Sequence, residues 1–362
     1  MPKILYLAEW DAFSNSGVIR KIKAQYETWR KLGVEARLVI VSPKGPRGSS
    51  PTIQGEGITV IAHEGGRYGL GKLFKAGALR EASKVVAEFG PDVIYYRQSS
   101  WTPGILGVLK KATCVVVEIN SNDVFEIDQY GWLKARYHRA TRGWLINLTK
   151  GFVCVGRELG EYYSRYGKPV EIIGNGFDTS SVVPRSPPHN ARVQLVFVGS
   201  PNQSWHGVDK LVQVAEQFSD MDFHIVGESV ENPPSNFILH GYLGWESLSA
   251  LYKKMDFGFG TLALHRKKMN EISPLKSREY VAYGLPVIGA YQDTDLDGCD
   301  FFLRIPNTES GVRDSVSEIK KFVSVWKDKV LDVSAVNSKV DSVYKERRRV
   351  EFMESLLEKI ES

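Results

Sequence analysis

The sequence predicts an α/β protein with two doubly wound domains, each built on a parallel sheet. Short apolar runs typical of buried strands alternate with amphipathic helical stretches along most of the 362 residues. The alternation stops once, in a stretch with three prolines at residues 175–191, and then starts again. Strands that are apolar throughout and separated by helices indicate a parallel sheet covered on both faces. An interruption of this composition indicates a domain boundary.

Seven strands are predicted in the first half of the chain. They lie at residues 4–8, 34–42, 58–62, 92–96, 114–119, 151–155 and 170–173. Helical patterns separate them, ending near residue 32 for the first and covering about 72–88, 102–111, 131–149 and 157–166 for the others. The turn from Asn175 to Asp178 and the three prolines at 184, 187 and 188 predict a linker. The first domain is therefore predicted to span residues 1–173.

The second half repeats the pattern. Strands are predicted at residues 194–199, 223–227, 236–241, 257–262 and 286–290, and helices at 208–218, 245–254 and 274–283. This predicts a second domain at residues 174–339. A charged helix at about 340–362 has no strand after it and is predicted to pack back onto the first domain. Ligands of doubly wound sheets bind at the carboxyl ends of the strands, so a cleft between the domains is the expected site.

Composition indicates an ordinary globular protein, with 43% hydrophobic and 25% charged residues. No run of about 18 apolar residues occurs, so no membrane-spanning helix is predicted. The apolar stretch that begins at Ile4 is too short for a signal peptide and is expected to form the first strand. The cysteines at 114, 154 and 299 lie far apart without metal-site spacing, which indicates reduced thiols and a cytoplasmic protein.

Basic residues are concentrated on two of the predicted helices, within a net charge of +5. The first helix carries Arg20, Lys21, Lys23, Arg30 and Lys31, and a later one carries Lys134, Arg136, Arg139, Arg142 and Lys150 among Trp132, Tyr137 and Trp144. Mixed aromatic and basic residues favour a peripheral contact with an anionic membrane. Solvated helix faces explain the same pattern equally well. Nucleic acid is not expected to be a partner, because no recognised binding motif accompanies the charge.

The segment from Glu271 to Glu279 is the strongest indication of a ligand site. Ser273 suits a helix N-cap and Pro274 suits the first helical position, so a helix is predicted to begin there. The free amides of such a helix start attract phosphate. Lys276 opposes the helix dipole in that first turn, which makes sense if an anion binds beside it. Glu279 is then placed to bind a ribose diol and Glu271 a second hydroxyl-bearing group, although two glutamates at this spacing also occur by chance on solvated helices.

Six short motifs occur in an order that resembles the GT-B glycosyltransferases, specifically the retaining enzymes of family 4. They are Asn175–Asp178, Phe197–Gly199 followed by Trp205–Leu211, His224–Gly227, His240–Leu243, Glu271–Glu279 and Gly284–Ile288. The resemblance implies two Rossmann-like domains that face a central cleft. It also implies transfer of a sugar from a nucleotide-diphosphate donor to a hydroxyl group, with retention at the anomeric carbon and no required metal or cofactor.

The resemblance also assigns roles to residues. Glu279 would bind the ribose and Glu271 the donor-sugar hydroxyls. The diphosphate would be bound by the segment Ser273, Pro274 and Leu275, by Gly199, Ser200 and His206 of the phosphate loop, and by Gly17 of the first strand–helix loop. Gly241 and Tyr242 would face the base.

Three departures from the family pattern affect these roles. Ser200 and His206 stand where the family usually has the arginine and the lysine that neutralise the diphosphate. We expect Lys276 to replace them; weaker candidates are Arg266, Lys267 and Lys268. Asn120 stands where a histidine often faces the donor sugar and is expected to serve with Glu271 and Lys276 in catalysis, while Glu118 is a candidate contact for the acceptor. Ser16 and Gly17 replace paired glycines.

The leading hypothesis is a transferase that builds a bacterial-type surface polysaccharide, such as lipopolysaccharide or capsule, on a glycan or lipid-linked acceptor at the inner membrane face. A UDP-sugar is the expected donor only because UDP is the commonest carrier in the family. A non-catalytic GT-B scaffold and a nucleotide-sugar epimerase remain alternatives. Arg97, Glu9 and Asp11, which follow strands of the first domain, are further candidates for the cleft, with solvated strand ends as the other interpretation.

Overall fold

The chain forms two compact units, which we describe from a computed structural model covering residues 1–14, 16–65 and 71–362. Unit 1 contains Met1–Ile173 together with Val343–Ser362, and unit 2 contains Gly174–Ser342. Each unit has its own parallel sheet with helices packed against it. The predicted α/β fold with two doubly wound sheets is confirmed.

Unit 1 is built on a seven-stranded parallel sheet in the order β3-β2-β1-β4-β5-β6-β7. The strands are β1 (Ile4–Glu9), β2 (Ala36–Pro43), β3 (Ile58–His63), β4 (Val93–Arg97), β5 (Cys114–Ile119), β6 (Gly151–Cys154) and β7 (Val170–Ile172). The helices between them are α1 (Gly17–Lys31), α2 (Gly71–Phe89), α3 (Ile105–Leu109), α4 (Asp123–Asp128), α5 (Trp132–Leu148) and α6 (Arg157–Ser164).

The last helix of the chain completes the core of unit 1. Its apolar side chains Val350, Met353, Leu356 and Leu357 are buried in the same cluster as the residues of β1 and α1. The indole nitrogen of Trp29 in α1 donates to Oε2 of Glu346 at 2.8 Å, and Glu346 also pairs with the buried Arg349. The C-terminal helix is therefore an integral part of this unit's interior.

Unit 2 is built on a six-stranded parallel sheet in the order β10-β9-β8-β11-β13-β15, beside a two-stranded pair of β12 and β14. The strands are β8 (Val193–Val198), β9 (Met221–Val226), β10 (Phe237–Gly241), β11 (Phe257–Phe259), β12 (Glu271–Ile272), β13 (Val287–Gly289), β14 (Gln292–Asp293) and β15 (Phe302–Arg304). The helices are α7 (Val208–Val214), α8 (Trp245–Tyr252), α9 (Leu275–Ala282), α10 (Gly311–Asp314), α11 (Val316–Trp326) and α12 (Val333–Val340), and α13 (Ser342–Glu361) is the helix that enters unit 1.

The strand order changes direction at one place in each sheet, between β1 and β4 in unit 1 and between β8 and β11 in unit 2. In doubly wound sheets, ligands bind at the carboxyl ends of the strands beside such a switch point. The residues that follow β1, β4 and β5 in unit 1, and β8, β9 and β11 in unit 2, are therefore the ones to inspect. Across the described ranges, no helix is both long enough and apolar enough to cross a membrane.

Candidate active site

Helix α9 begins one residue later than predicted, and Ser273 is not its N-cap. The helix starts at Leu275, preceded by Pro274 in an extended conformation without a side-chain cap. The hydroxyl of Ser273 instead accepts the backbone N–H of Asn175 at 2.7 Å, and the side-chain amide of Asn175 donates to the carbonyl of Ser273. The predicted cap residue is therefore hydrogen-bonded to a segment that lies 98 residues away in sequence. The first-turn amides of α9 consequently have no side chain capping them.

Lys276 lies in this first turn, and its ammonium group is buried without a hydrogen-bond acceptor. Its Nζ stands 4.0 Å from the centroid of the Phe197 ring, at the end of β8. Burial lowers the pKa of Lys276 to about 7, although Glu228 and Glu279 both act to raise it. A buried cation that lacks an acceptor is costly, and binding an anion would remove that cost. Lys276 stays the candidate for the replacement cation.

Two glycines allow the ends of β8 and β9 to approach each other closely beside Lys276. Gly227 has φ of +77°, and a Cβ on it would lie 2.3 Å from the carbonyl oxygen of Gly199. A Cβ on Gly199 would lie 2.8 Å from Cγ of Glu228. The loop that begins with Gly199 and Ser200 is therefore covered by the side chain of Glu228, a residue that the sequence analysis did not single out.

His206 is buried in the same loop and contacts Glu228 directly. Its Nδ1 lies 2.8 Å from Oε1 of Glu228. Burial lowers the pKa of His206 far below its usual value, and the charges of Lys276 and Lys267 add to this effect. Burial raises the pKa of Glu228 to about 6, opposed by Lys276. Both residues line an open depression of about 410 Å³ whose other walls are Asn202, Gln203, Ser204, Gly207, Val208 and Asp209.

The weaker candidates for the diphosphate differ in what they contact. The guanidinium of Arg266 donates to the carboxylates of Asp209 and Glu309 and to the carbonyl of Ser204, at 2.7–2.9 Å. All five N–H groups of Arg266 are therefore occupied, which argues against Arg266 as the phosphate cation. Lys267 lies over the ring of Trp205, with its Nζ 4.6 Å from the centroid. Lys268 is exposed and has a positive φ of 52°.

Glu271 and Glu279 are both buried in unit 2. Glu271 opens β12, which pairs in parallel with β14. Glu279 lies in α9, where its Oε2 accepts the hydroxyl of Tyr252 at 2.9 Å. Neither glutamate lies on a solvated helix face, so the chance explanation for their spacing does not apply. Glu271, Glu279 and Lys276 all lie within unit 2.

Helix α9 is held in place by a buried ion cluster. The fully buried guanidinium of Arg278 donates to Asp293 and to Asp295, and to the carbonyl of Asn175 at 3.2 Å. These contacts join the helix to β14, to the segment after it and to the start of unit 2. They fix the first turn of α9 relative to the strand ends around it.

Gly241 and Tyr242, the residues expected to face the base, follow β10. Gly241 has φ of +62°, and its carbonyl accepts the N–H of Gly227 at 2.7 Å. The side chain of Tyr242 is 71% exposed. Gly241 is therefore joined to the glycine before Glu228, and the tyrosine ring is available to a ligand.

In unit 1, Asn120 lies just after β5 and retains an unused donor. Its Oδ1 accepts from Nζ of Lys21 at 2.7 Å, whereas its Nδ2 is buried without an acceptor. Gly17 is the first residue of α1, and the hydroxyl of the preceding Ser16 caps this helix by accepting the N–H of Ile19. Asn120 and Gly17 both lie at the carboxyl end of the sheet, the end at which doubly wound sheets bind ligands.

Glu118 and Arg97 form a buried ion network and do not extend from the strand ends. Oε1 of Glu118 accepts from Lys21 at 2.8 Å, and Oε2 accepts from Arg97 and from the hydroxyl of Tyr6, each at 3.0 Å. The neighbouring cations hold the pKa of Glu118 well below its usual value against the effect of burial. The expectation that Glu118 contacts an acceptor is wrong, because its carboxylate is fully buried and both oxygens are occupied. Arg97 is likewise directed at Glu118.

Of the other two first-domain candidates, Glu9 is tied to Tyr96 and Lys75, and Asp11 accepts the N–H of Phe13. Across residues 1–14, 16–65 and 71–362, no three His, Cys, Asp or Glu side chains are grouped as metal ligands would be.

Comparison with known proteins gives a family match and structures of the same fold. Residues 16–181 match the model of Glycosyltransferase Family 4. No curated protein matches the sequence. Among solved structures, the sucrose-phosphate synthase of Thermosynechococcus elongatus superimposes with a TM-score of 0.72 at 13% identity, covering 98% of this chain and 99% of that one.

Two further structures share the fold across nearly the whole chain. The apo form of the lipopolysaccharide outer core galactosyltransferase WaaB has a TM-score of 0.65 at 12% identity, covering 97% of this chain and 99% of its own. An alpha-glucosyltransferase in complex with UDP and a 13-mer DNA has a TM-score of 0.63 at 14% identity, with the same coverage. The fold is that of the GT-B glycosyltransferases, and residues 16–181 match the family 4 model. Together these two findings support a glycosyltransferase of the family 4 type.

Proposed function

We propose that the protein transfers a sugar, with retention of anomeric configuration, from a nucleotide-diphosphate donor to a hydroxyl of a glycan or lipid-linked acceptor. The observation that carries this proposal is the buried ammonium of Lys276, which has no acceptor and lies beside the uncapped start of α9 and the loop of Gly199. UDP-sugars are the first donors to test, because one structural relative was solved with UDP bound. A role in surface polysaccharide synthesis is supported by the likeness to WaaB.

The chemistry follows from the charges that the reaction creates. The bond between the anomeric carbon and the β-phosphate oxygen breaks, the acceptor hydroxyl oxygen bonds to that carbon, and its proton leaves with the diphosphate. Negative charge grows on the leaving phosphate, and pre-placed cations and amides stabilise such charge. Lys276 and the first amides of α9 would supply this stabilisation without a metal. We assign Glu279 to the ribose and Glu271 and Asn120 to the donor sugar.

The test is a thermal-shift panel of nucleotide diphosphates and their sugars, followed by hydrolysis and transfer assays with the donor that binds. We expect one base to stabilise the wild type selectively, and Glu279→Ala and Lys276→Met to lose this effect. Activity should persist in EDTA, and NMR of the product should show the anomeric configuration of the donor. Absence of any shift and of any donor hydrolysis would contradict the enzyme proposal and favour a GT-B scaffold. Formation of a free epimerised nucleotide sugar would favour the epimerase.

The acceptor side carries a further proposal, namely contact with an anionic membrane surface through α5 and the residues just before it. Tyr130, Trp132 and Leu133 are 66%, 71% and 65% exposed, and the exposed Lys134 and Arg136 lie beside them. Apolar rings flanked by cations suit the interface of an anionic bilayer. By contrast, α1 is a poor candidate, since Lys21 is buried against Glu118 and Arg30 pairs with Glu56.

Vesicle sedimentation tests the membrane contact. We expect binding to phosphatidylglycerol vesicles at low salt, none to phosphatidylcholine vesicles, and loss of binding in a double Trp132→Ser, Leu133→Ser variant. Val325→Ser, a change of an exposed apolar residue in unit 2, serves as the control. Equal binding by the double variant and the control would refute this surface. Oligonucleotides belong in the acceptor panel, because one structural relative was solved with DNA.

A further inference from the structure

A carboxyl group lies where the proposed function requires an anion to bind. The side chain of Glu228 covers Gly199, with its Cγ 2.8 Å from the position of a Cβ there, and its Oε1 is 2.8 Å from Nδ1 of His206. Its charge also acts on the buried ammonium of Lys276. These neighbours are the groups expected to hold the diphosphate. A carboxylate and a diphosphate would repel each other strongly at such a site unless the carboxylate were neutralised.

The hydrogen bonds around His206 indicate how the carboxylate of Glu228 is neutralised. The backbone N–H of Ser200 points at Nδ1 of His206, with the two nitrogens 3.4 Å apart. An N–H can only donate, so Nδ1 must act as an acceptor in this contact. An ionised carboxylate cannot donate to the same nitrogen, whereas a protonated carboxyl group can. Both contacts of Nδ1 are satisfied only when Glu228 carries a proton.

We propose that Glu228 is the proton-binding and positioning residue of the nucleotide site: the donor diphosphate binds to the form in which Glu228 is protonated and donates its O–H to Nδ1 of His206. This inference rests on the proposed function of the phosphate loop. Donor binding above the carboxyl's titration range takes up one proton from solvent and changes no covalent bond of the donor. The neutral imidazole then carries its own proton on Nε2, which makes that nitrogen a donor suited to a phosphate oxygen.

The surrounding charges are consistent with this assignment. Glu228 faces two groups: His206, which lies in the loop before α7, and Lys276, which lies in α9. Burial raises the pKa of Glu228 to about 6. His206 faces Lys276 and Lys267 as well, and burial keeps its pKa far below the usual value, so the imidazole itself stays neutral. Lys276 faces Glu228 and Glu279 and also titrates, with a pKa of about 7. An experiment must therefore separate Glu228 from Lys276.

The expected size of the effect follows from the titration of the carboxyl group. With a pKa of about 6, half of Glu228 is protonated at pH 6 and about 1% at pH 8. If only the protonated form binds, donor affinity falls by up to about 50-fold between these pH values. In Glu228→Gln, the amide N–H replaces the carboxyl O–H as donor to Nδ1 without titrating. When Lys276 is also replaced by arginine, which does not titrate in this range, that variant should bind the donor with nearly the same affinity at both pH values.

The test is calorimetric titration with UDP-glucose, whose diphosphate is a diester and does not itself titrate between pH 6 and 8. The compared proteins are Lys276→Arg and Lys276→Arg/Glu228→Gln, because arginine stays charged throughout this range. Each is measured in two buffers of different ionisation enthalpy. At pH 8 we expect close to one proton taken up by the first protein and close to none by the second.

The outcomes separate the two proposals. Equal pH dependence and equal proton uptake in the two proteins would overturn the role of Glu228, while leaving nucleotide binding established. Weaker binding by the glutamine variant at every pH would overturn it as well. Failure of wild type and variants to bind any nucleotide sugar would overturn the proposed function itself. The Lys276→Arg protein alone remains informative if the double variant does not fold, since its proton uptake at pH 8 is already diagnostic.

Discussion

Replacement of Lys276 by methionine is expected to stabilise the free protein and to weaken donor binding. The lysine ammonium is buried without an acceptor, and its stem passes the ring of Phe197. Methionine keeps a side chain of similar length and removes the charge. The same substitution removes the cation that we assign to the diphosphate. Stability and binding should therefore change in opposite directions, as is common where a site is built for a ligand.

Both effects are large enough to measure. A buried polar group without a partner costs about 1–3 kcal/mol, so the free energy of unfolding should rise by roughly this amount. For a domain of this size, each kcal/mol raises the unfolding midpoint by about 2–4 °C. A hydrogen bond to a charged group contributes about 1.5–3 kcal/mol, which corresponds to a loss of about 10- to 150-fold in affinity for the donor.

The stability difference should also depend on pH. Burial lowers the pKa of Lys276 from 10.5 to about 7 in the folded protein. Between those values the unfolded chain holds the proton and the folded protein does not, so the unfolded state binds more protons and the stability of the wild type rises with pH. Below pH 7 both states are protonated and this contribution is constant. The advantage of the methionine variant should therefore shrink as the pH rises from 7 towards 10.

The measurements are urea unfolding of the ligand-free proteins at pH 6.5 and 9, and calorimetric titration with UDP. Lys253→Met, at an exposed lysine of the same unit, is the matched control and should leave stability and affinity nearly unchanged. A methionine variant that is less stable than the wild type at pH 6.5, or that binds UDP as tightly, would refute the reasoning.

Three further variants test other parts of the molecule. Arg278→Met leaves the buried carboxylate of Asp293 without its cation and should lower the free energy of unfolding, measured in urea, by about 3–5 kcal/mol. The exposed Arg304→Met is the control and should lower it by under about 1 kcal/mol. Equal losses in the two variants would contradict a structural role for the Arg278–Asp293 pair. Glu279→Gln should weaken UDP binding by about 10-fold or more but leave binding of a 2′,3′-dideoxy analogue unchanged; an equal loss for the analogue would argue against a ribose contact. Asn120→Ala should lower sugar transfer by about 10-fold while UDP affinity stays the same, because UDP lacks the sugar that its free amide is assigned to bind; a parallel loss of UDP affinity would contradict that assignment.

The fold was predictable because its signal is local. Apolar runs such as that at residues 114–117 predict buried parallel strands wherever they occur, and the structure places the strand Cys114–Ile119 there. The boundaries were less accurate. The strand predicted at 257–262 ends at Phe259. Beyond it the chain leads to Leu262, whose N–H bonds to the carbonyl of His206.

The site was predictable only in part, because several roles depend on residues that are distant in sequence. Local propensity made Ser273 a helix cap, yet Asn175 captures its hydroxyl. Glu118 looked available at a strand end, yet Lys21 from α1 closes over it. Glu228 carried one usable signal, its position just after the glycine that ends a strand, but the importance of its carboxyl group emerges only from its distance to His206.

The C-terminal helix has a consequence for biogenesis. Residues Val343–Ser362 supply part of the interior of unit 1, whereas unit 2 is continuous in sequence and is translated before them. When synthesis of unit 2 is complete, the side chains of Val343–Ser362 that cover Trp29 and its neighbours have therefore not yet been synthesised. Domains usually mature in the order of synthesis, but here the unit that starts first is expected to finish last. Until then, an unfinished apolar surface on the nascent chain is exposed to chaperones.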